Sequence, residues 1–229
     1  MITTNAGNSI TMNGGTLGCR GIQTGTLPNL TDNLGATGVG AFIWQGNNTF
    51  RLDNCFATNT VAGGYTFGSG QPNGSKNYTR LELVNGTSKL LGTVPVTIAG
   101  TGSLLVSNTT ATINCAFTNN GTLTITNSTL NLLNGTFGEG STVNWMNTNS
   151  QINVTGTLNL PAVMIVNVGQ VSPYGPNGTV LFNATAFSGP GATNLNGWVI
   201  TGSRPDTRAV LINGQVQLTS PTGLILRLY

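Results

Sequence analysis

Between residues 112 and 137 the chain reads Thr112-Ile-Asn-Cys-Ala-Phe117, Asn119-Asn-Gly121, Thr122-Leu-Thr-Ile-Thr126, then Thr129-Leu-Asn-Leu-Leu133 and Asn134-Gly135. Apolar residues alternate with Thr or Asn, and Gly or Asn closes each run. That is the period of a half-buried β-strand with turn chemistry on either side. The same text extends both ways. Upstream lie Val94-Pro-Val-Thr-Ile98 and Ser103-Leu-Leu-Val106; downstream lie Val143-Asn-Trp145, Ile152-Asn-Val154, Thr157-Leu-Asn-Leu160 and Val163-Met-Ile-Val166. Helical periodicity is almost absent.

Strands spaced roughly 6 to 13 residues apart suit either a sandwich or a solenoid. Three features favour the solenoid. Asn-Gly-Thr or Asn-Gly-Ser recurs at 73, 85, 120, 134 and 177, and Gly-Thr-Leu at 15, 25, 121 and 156. Charges, which would stack above one another in successive coils, are scarce. Asn and Thr are residues that ladder along such a stack. The expectation is an all-β chain forming a parallel β-helix, with about 20 to 25 residues per coil and roughly nine to eleven coils. Residues 1–168 would form the coils, with 36–83 less regular and carrying Phe42, Trp44, Phe50, Phe56, Tyr65, Phe67 and Tyr78. Residues 169–229 read as a C-terminal β cap. They hold proline-rich stretches such as Ser172-Pro-Tyr-Gly-Pro-Asn177, and Asn213-Gly214 between two apolar runs is the strongest hairpin signal in the chain.

Of 229 residues, eight are Lys or Arg, five are Asp or Glu, and none is His. Thr (37), Asn (30), Gly (33) and Ser (13) make up about half the chain, so its polarity is almost all uncharged. An ordinary domain is about one quarter charged. Disorder would pair low hydrophobicity with high charge, whereas 38% of this chain is apolar. The net charge of +3 is scattered rather than clustered, so nucleic acid is not an expected partner. No run approaches the length of a membrane-spanning helix. The start, Met1 to Gly15, lacks the basic and apolar regions of a signal peptide. Cys19, Cys55 and Cys115 are widely spaced, which excludes a metal knuckle. One disulfide with a free thiol is one arrangement; three buried, reduced cysteines acting as small apolar residues is the preferred one.

The run Asn119-Asn-Gly-Thr-Leu-Thr-Ile-Thr-Asn-Ser-Thr-Leu-Asn-Leu-Leu-Asn-Gly-Thr-Phe137 resembles the repeats of autotransporter-passenger-like bacterial surface proteins, of the autotransporter-associated β-strand repeat type. Leu195 to Gly202, Arg208 to Leu218 and Ser220 to Leu226 resemble the C-terminal portion of such proteins, so the likeness covers roughly residues 85–229. It implies a right-handed parallel β-helix displayed at a cell surface, and it carries over no catalytic residue. The chain departs from that pattern in its anchor, since the single strand Leu224-Ile-Leu-Arg-Leu-Tyr229 is not a barrel.

Chemistry is sparse. Acid–base catalysis needs His, paired carboxylates or a tuned Lys in a cleft. The carboxylates here are Asp32, Asp53, Glu82, Glu139 and Asp206. Arg51 with Asp53, and Arg80 with Glu82, share a strand face and read as surface ion pairs that interrupt an aggregation-prone face. No catalytic residue, metal site or cofactor is expected, and three Asp cannot furnish calcium coils. Sequons fall at Asn29, Asn47, Asn73, Asn77, Asn85, Asn108, Asn120, Asn127, Asn134, Asn153, Asn177 and Asn183. These are candidate glycosylation sites, although an Asn-Gly turn followed by a Thr-led strand writes sequons unaided. Thr122, Thr124 and Thr126 share one strand face, the ordinary solvent face of a β-branched strand. The expected role is a non-catalytic extracellular structural protein, a β-solenoid subunit of a surface layer, fibre or filament that partners itself. The alternative is an adhesin or phage receptor-binding module that grips surface glycans, with Trp44, Tyr65 and Tyr78 as contacts.

Overall fold

The structure, a computed structural model, describes residues 10–13, 15–20, 42–45, 47–59, 64–68, 78–170, 178–202 and 206–220. Its strands are β1 (Ile10–Asn13), β2 (Thr16–Arg20), β3 (Phe42–Gln45), β4 (Asn48–Asp53), β5 (Phe56–Asn59) and β6 (Tyr65–Phe67). Then follow β7 (Tyr78–Gly92), β8 (Val96–Ile98), β9 (Ser103–Asn119), β10 (Thr122–Thr126), β11 (Thr129–Phe137) and β12 (Thr142–Asn147). The last are β13 (Gln151–Asn159), β14 (Ile165–Gln170), β15 (Thr179–Ser188), β16 (Val199–Thr201), β17 (Arg208–Ile212) and β18 (Gln215–Thr219). Among the described residues the one helical element is a 3-10 turn at Pro190–Ala192. The protein is all-β.

β1 and β3 pair with each other; the other sixteen strands form one sheet of parallel and mixed pairs that winds round, barrel-like, and nearly closes. On its first side β2, β4, β7, β9, β10, β12, β14 and β16 lie parallel, each hydrogen-bonded to the next. Aligned partners run Thr16, Thr49, Arg80, Ser103, Thr122, Thr142, Ile165 and Val199. The step between rows is therefore 19 to 23 residues from Arg80 to Ile165, and 31 to 34 outside it. That gives eight rows among the described residues, with the outer connections longer than the inner ones.

Long strands bend rather than stop. β9 runs on through Ser107-Asn108-Thr109, and β11 through Asn134-Gly135, where its registers with β9 and β13 shift. Asn and Gly thus mark corners inside strands as well as breaks between them. The sequence placed a strand at 163–166; Val163 is exposed, and β14 begins at Ile165.

Alternation carries the core. Leu81, Leu104, Leu123, Val143 and Val166 form one inward row; Leu83, Val106, Ile125, Trp145 and Val168 form another. All ten are buried. Phe117, Phe137, Phe182 and Trp198 continue as an edge-to-face chain with centroids 5.2 to 6.5 Å apart, a geometry that adds to the area term. The Trp198 indole N–H donates to the Pro161 carbonyl at 3.0 Å.

On a second side β5, the later part of β7, β9, β11, β13 and β15 lie parallel; that row ends at β15, on which β18 lies antiparallel, with β17 antiparallel beyond it. Asn213 and Gly214 join β17 to β18 with φ of 49° and 73°, as a two-residue hairpin of mirror-image twist requires. Arg20 pairs with Asp53 at 3.5 Å, and Glu82, nearly buried, lies between Arg51 and Arg80. The Arg51 partner is thus across the sheet, not two residues along it. Glu139 accepts the Ala162 and Val163 amides at 2.8 and 2.9 Å, tying one row to the next.

Cys55 is disulfide-bonded and Cys115 is free and buried. The preference for three reduced cysteines therefore fails at Cys55, since sequence spacing does not reveal which thiols the winding brings together. Burial pushes the Cys115 thiol up to about 11. Alkylation at pH 8 followed by peptide mass mapping is expected to leave both untouched in the native protein. Unfolding without reductant should label Cys115 alone of the two, and labelling of Cys55 should need reduction. Labelled Cys55 in the unreduced sample would contradict its disulfide.

Candidate functional site

The polar side chains gather at the corner between the first two sides. Asn54, Asn85, Asn108 and Asn127 each hold φ between 45° and 55°, a left-handed turn that Asn tolerates better than other side chains. Row register places them one above another. The Asn54 side-chain Oδ1 accepts the Thr87 backbone amide at 3.0 Å, and the Asn85 side chain donates to Asp53 at 2.8 Å. Asn127 donates to the Asn108 side chain at 3.4 Å and Asn147 donates to Asn127. The residue after each is small or buried: Cys55, Gly86, Thr109 and Ser128. A Cβ on Gly86 would sit 2.4 Å from the Asn54 Oδ1, so this step of the ladder needs glycine. The next residue, Thr87, Thr110 or Thr129, starts the second side facing outward.

That corner rule writes the sequons. Asn85-Gly-Thr87, Asn108-Thr-Thr110 and Asn127-Ser-Thr129 are three consecutive steps of one ladder. The other corners do likewise. Asn120-Gly-Thr122 precedes β10, and the Asn134 Oδ1 accepts the Thr157 amide at 2.9 Å. Asn153 donates to Asn131 at 3.3 Å and aligns with Asn183 on the second side. Asn47 is exposed outside the ladder, and Asn120, also exposed, sets its Oδ1 against Gly138 of the next row as Asn54 does against Gly86. Asn29, Asn73, Asn77 and Asn177 lie outside the described residues. Rows stand about 4.8 Å apart, too close for branched glycans on neighbouring steps. Expressed in a glycosylating host, the protein should carry glycan at Asn47 before Asn108 or Asn127, as read by glycopeptide mass spectrometry. Joint occupancy of Asn108 and Asn127 on one molecule would contradict the ladder.

The aromatics expected on a glycan-gripping surface are placed otherwise. Tyr65 is 6% exposed and Tyr78 0%, their rings 6.0 Å apart and packed with Phe67 and Phe50. Burial raises the Tyr65 hydroxyl well above its ordinary value. These two rings are core, because each occupies an inward position of its strand. The Trp44 side chain lies outside the described residues.

A third outward row joins Thr124, Asn144, Asn167 and Thr201. Asn144 donates to Thr124 at 3.1 Å, Asn167 to Asn144 at 2.7 Å, and the Thr201 hydroxyl donates to Asn167. On the remaining side Thr66, Thr97, Thr118 and Thr136 align in four successive rows. The sequence showed a Thr triplet along a strand; this quartet runs across strands, and only the register reveals it. Among the described residues no His, Cys, Asp and Glu cluster could hold a metal, and no helix is long and apolar enough to cross a membrane.

No family model, no curated protein and no solved structure matches the chain.

Proposed function

We propose that the chain is a parallel β-helix acting as a non-catalytic structural element outside the cell, a subunit of a surface layer, fibre or filament. One observation carries this reading: neighbouring rows repeat every 19 to 23 residues through the middle of the chain, bonded parallel and bridged by side-chain amides. Such a stack is stiff because each row is held by backbone bonds on both edges and by amide ladders outside a dry interior. Three of its four described carboxylates serve packing: Glu82 lies between two arginines, Glu139 caps two amides and Asp53 receives Asn85. The disulfide at Cys55 suits an oxidising compartment.

Self-association would use the C-terminal edges. Three of the exposed large apolar residues, Val199, Leu211 and Ile212, sit on β16 and β17, and so few charges offer little repulsion. The antiparallel β18 covers β15, so the parallel stack does not simply continue into another copy there. Negative-stain electron microscopy of the purified chain tests this. Long uniform filaments or sheets are expected; monodisperse short rods at every concentration would overturn self-assembly.

A further inference from the structure

We propose that the groove beside the asparagine ladder is a binding site for a neutral glycan chain laid across the rows. Its origin is an insertion. Ile125 aligns with Trp145, and Thr129 with Gln151, so the corner after Trp145 holds two more residues than the one after Ile125. Thr148 and Asn149 take up that length and stand exposed as a wall. Behind the wall lies a shallow, open depression of about 270 Å³, with Gly86, Thr109 and Ser128 in its lining and Asn108, Thr110, Asn127, Thr129 and Asn149 around them. On the other side of the wall a second depression of about 380 Å³ runs from Asn149 to Thr179 and Val180.

The lining selects the ligand. The first depression holds no charged and no large apolar side chain. With no cation it offers nothing to a phosphate, with no carboxylate nothing to a metal ion, and with no apolar pocket nothing to a peptide side chain. It presents amides and hydroxyls alone, in register and one strand spacing apart. An amide has two N–H donors and two acceptor lone pairs. The ladder engages the Asn108 oxygen once, through the long contact from Asn127, leaving capacity for vicinal hydroxyls of a sugar. Without an aromatic platform each contact is modest, so binding is weak per site and gains strength from repeated display. The site is independent of whether copies polymerise, and it differs from the aromatic surface expected from sequence.

The test is a panel of neutral hexasaccharides of glucose, mannose, galactose and N-acetylglucosamine, with a uronate hexasaccharide as the charged comparison. The full chain is compared with T110K, T129K and T118K, the last on the opposite side as a control, each checked for native circular dichroism. At least one neutral hexasaccharide should bind the native chain and T118K, unaffected by about 0.5 M salt, with affinity about tenfold lower in T110K and T129K. No neutral binding, or equal binding by all four proteins, would overturn the site while leaving the filament experiment untouched.

Discussion

Aspartate at Leu123 should abolish folding, whereas aspartate at the adjacent Thr124 should change stability by less than about 1 kcal/mol. Leu123 is 0% exposed, between Leu104 and Val143 in the first inward row. A carboxylate there has no cation and no donor, so it must either ionise at a cost of several kcal/mol or stay protonated in an apolar site. It also loses the leucine packing, worth about 2 to 5 kcal/mol in comparable deletions. A domain whose net stability is about 5 to 15 kcal/mol does not absorb both. Thr124 points outward on the same strand, and its hydroxyl accepts from Asn144; an aspartate keeps that acceptor. Chemical denaturation of the two variants reads the difference. Equal loss at both positions would contradict the alternation on which the whole sheet rests.

Valine at Gly121 is the second large effect, and its cause is backbone rather than core. A Cβ at Gly121 would meet the Ala99 carbonyl at 2.2 Å and the Gly102 carbonyl at 2.4 Å. Both atoms belong to the row below, where Gly102 O also accepts the Thr122 amide at 3.1 Å. Neither can withdraw without breaking the rows apart. A loss of more than about 3 kcal/mol is expected, or failure to accumulate as folded protein. Valine at Gly140 is the comparison, because nothing lies within 4 Å of its position. That site has a φ of 72° and so costs strain alone, about 1 to 2 kcal/mol. Thermal melts that rank the two the other way would show that close approach of rows is not what demands glycine at 121.

Both predictions draw on the feature most legible in the chain, the alternation of Leu, Ile and Val with Thr and Asn. Side chains on a strand face opposite sides in turn, so Thr122 to Thr126 declares its buried and exposed faces with no knowledge of partners. The hairpin at Asn213-Gly214 was equally readable, since its positive φ values restrict which residues fit. Corners were half legible. Asn-Gly marked where the chain changes direction, but β9 and β11 bend through theirs without ending. The sequon count is the instructive case: Asn85, Asn108 and Asn127 follow one geometric rule, a left-handed Asn, a small residue, then an outward Thr.

What the residues could not say is which strand lies beside which. Tyr65 and Tyr78 looked available because they stand in the least repetitive text; stacking against Phe50 and Phe67 buries them. The wall at Thr148 and Asn149 exists only by comparison with the row beneath it.

The sequence by itself determined an all-β chain, the inward and outward face of its central strands, the C-terminal hairpin and the near-absence of charge, because strand alternation and turn conformation are local properties of a few residues. The tertiary structure alone decided the row register, the asparagine ladder, the burial of Tyr65 and Tyr78 and the groove beside Asn108 and Asn127. The row register and the ladder join residues 19 to 34 positions apart, and such contacts are selected by packing of the whole sheet rather than by any segment within it.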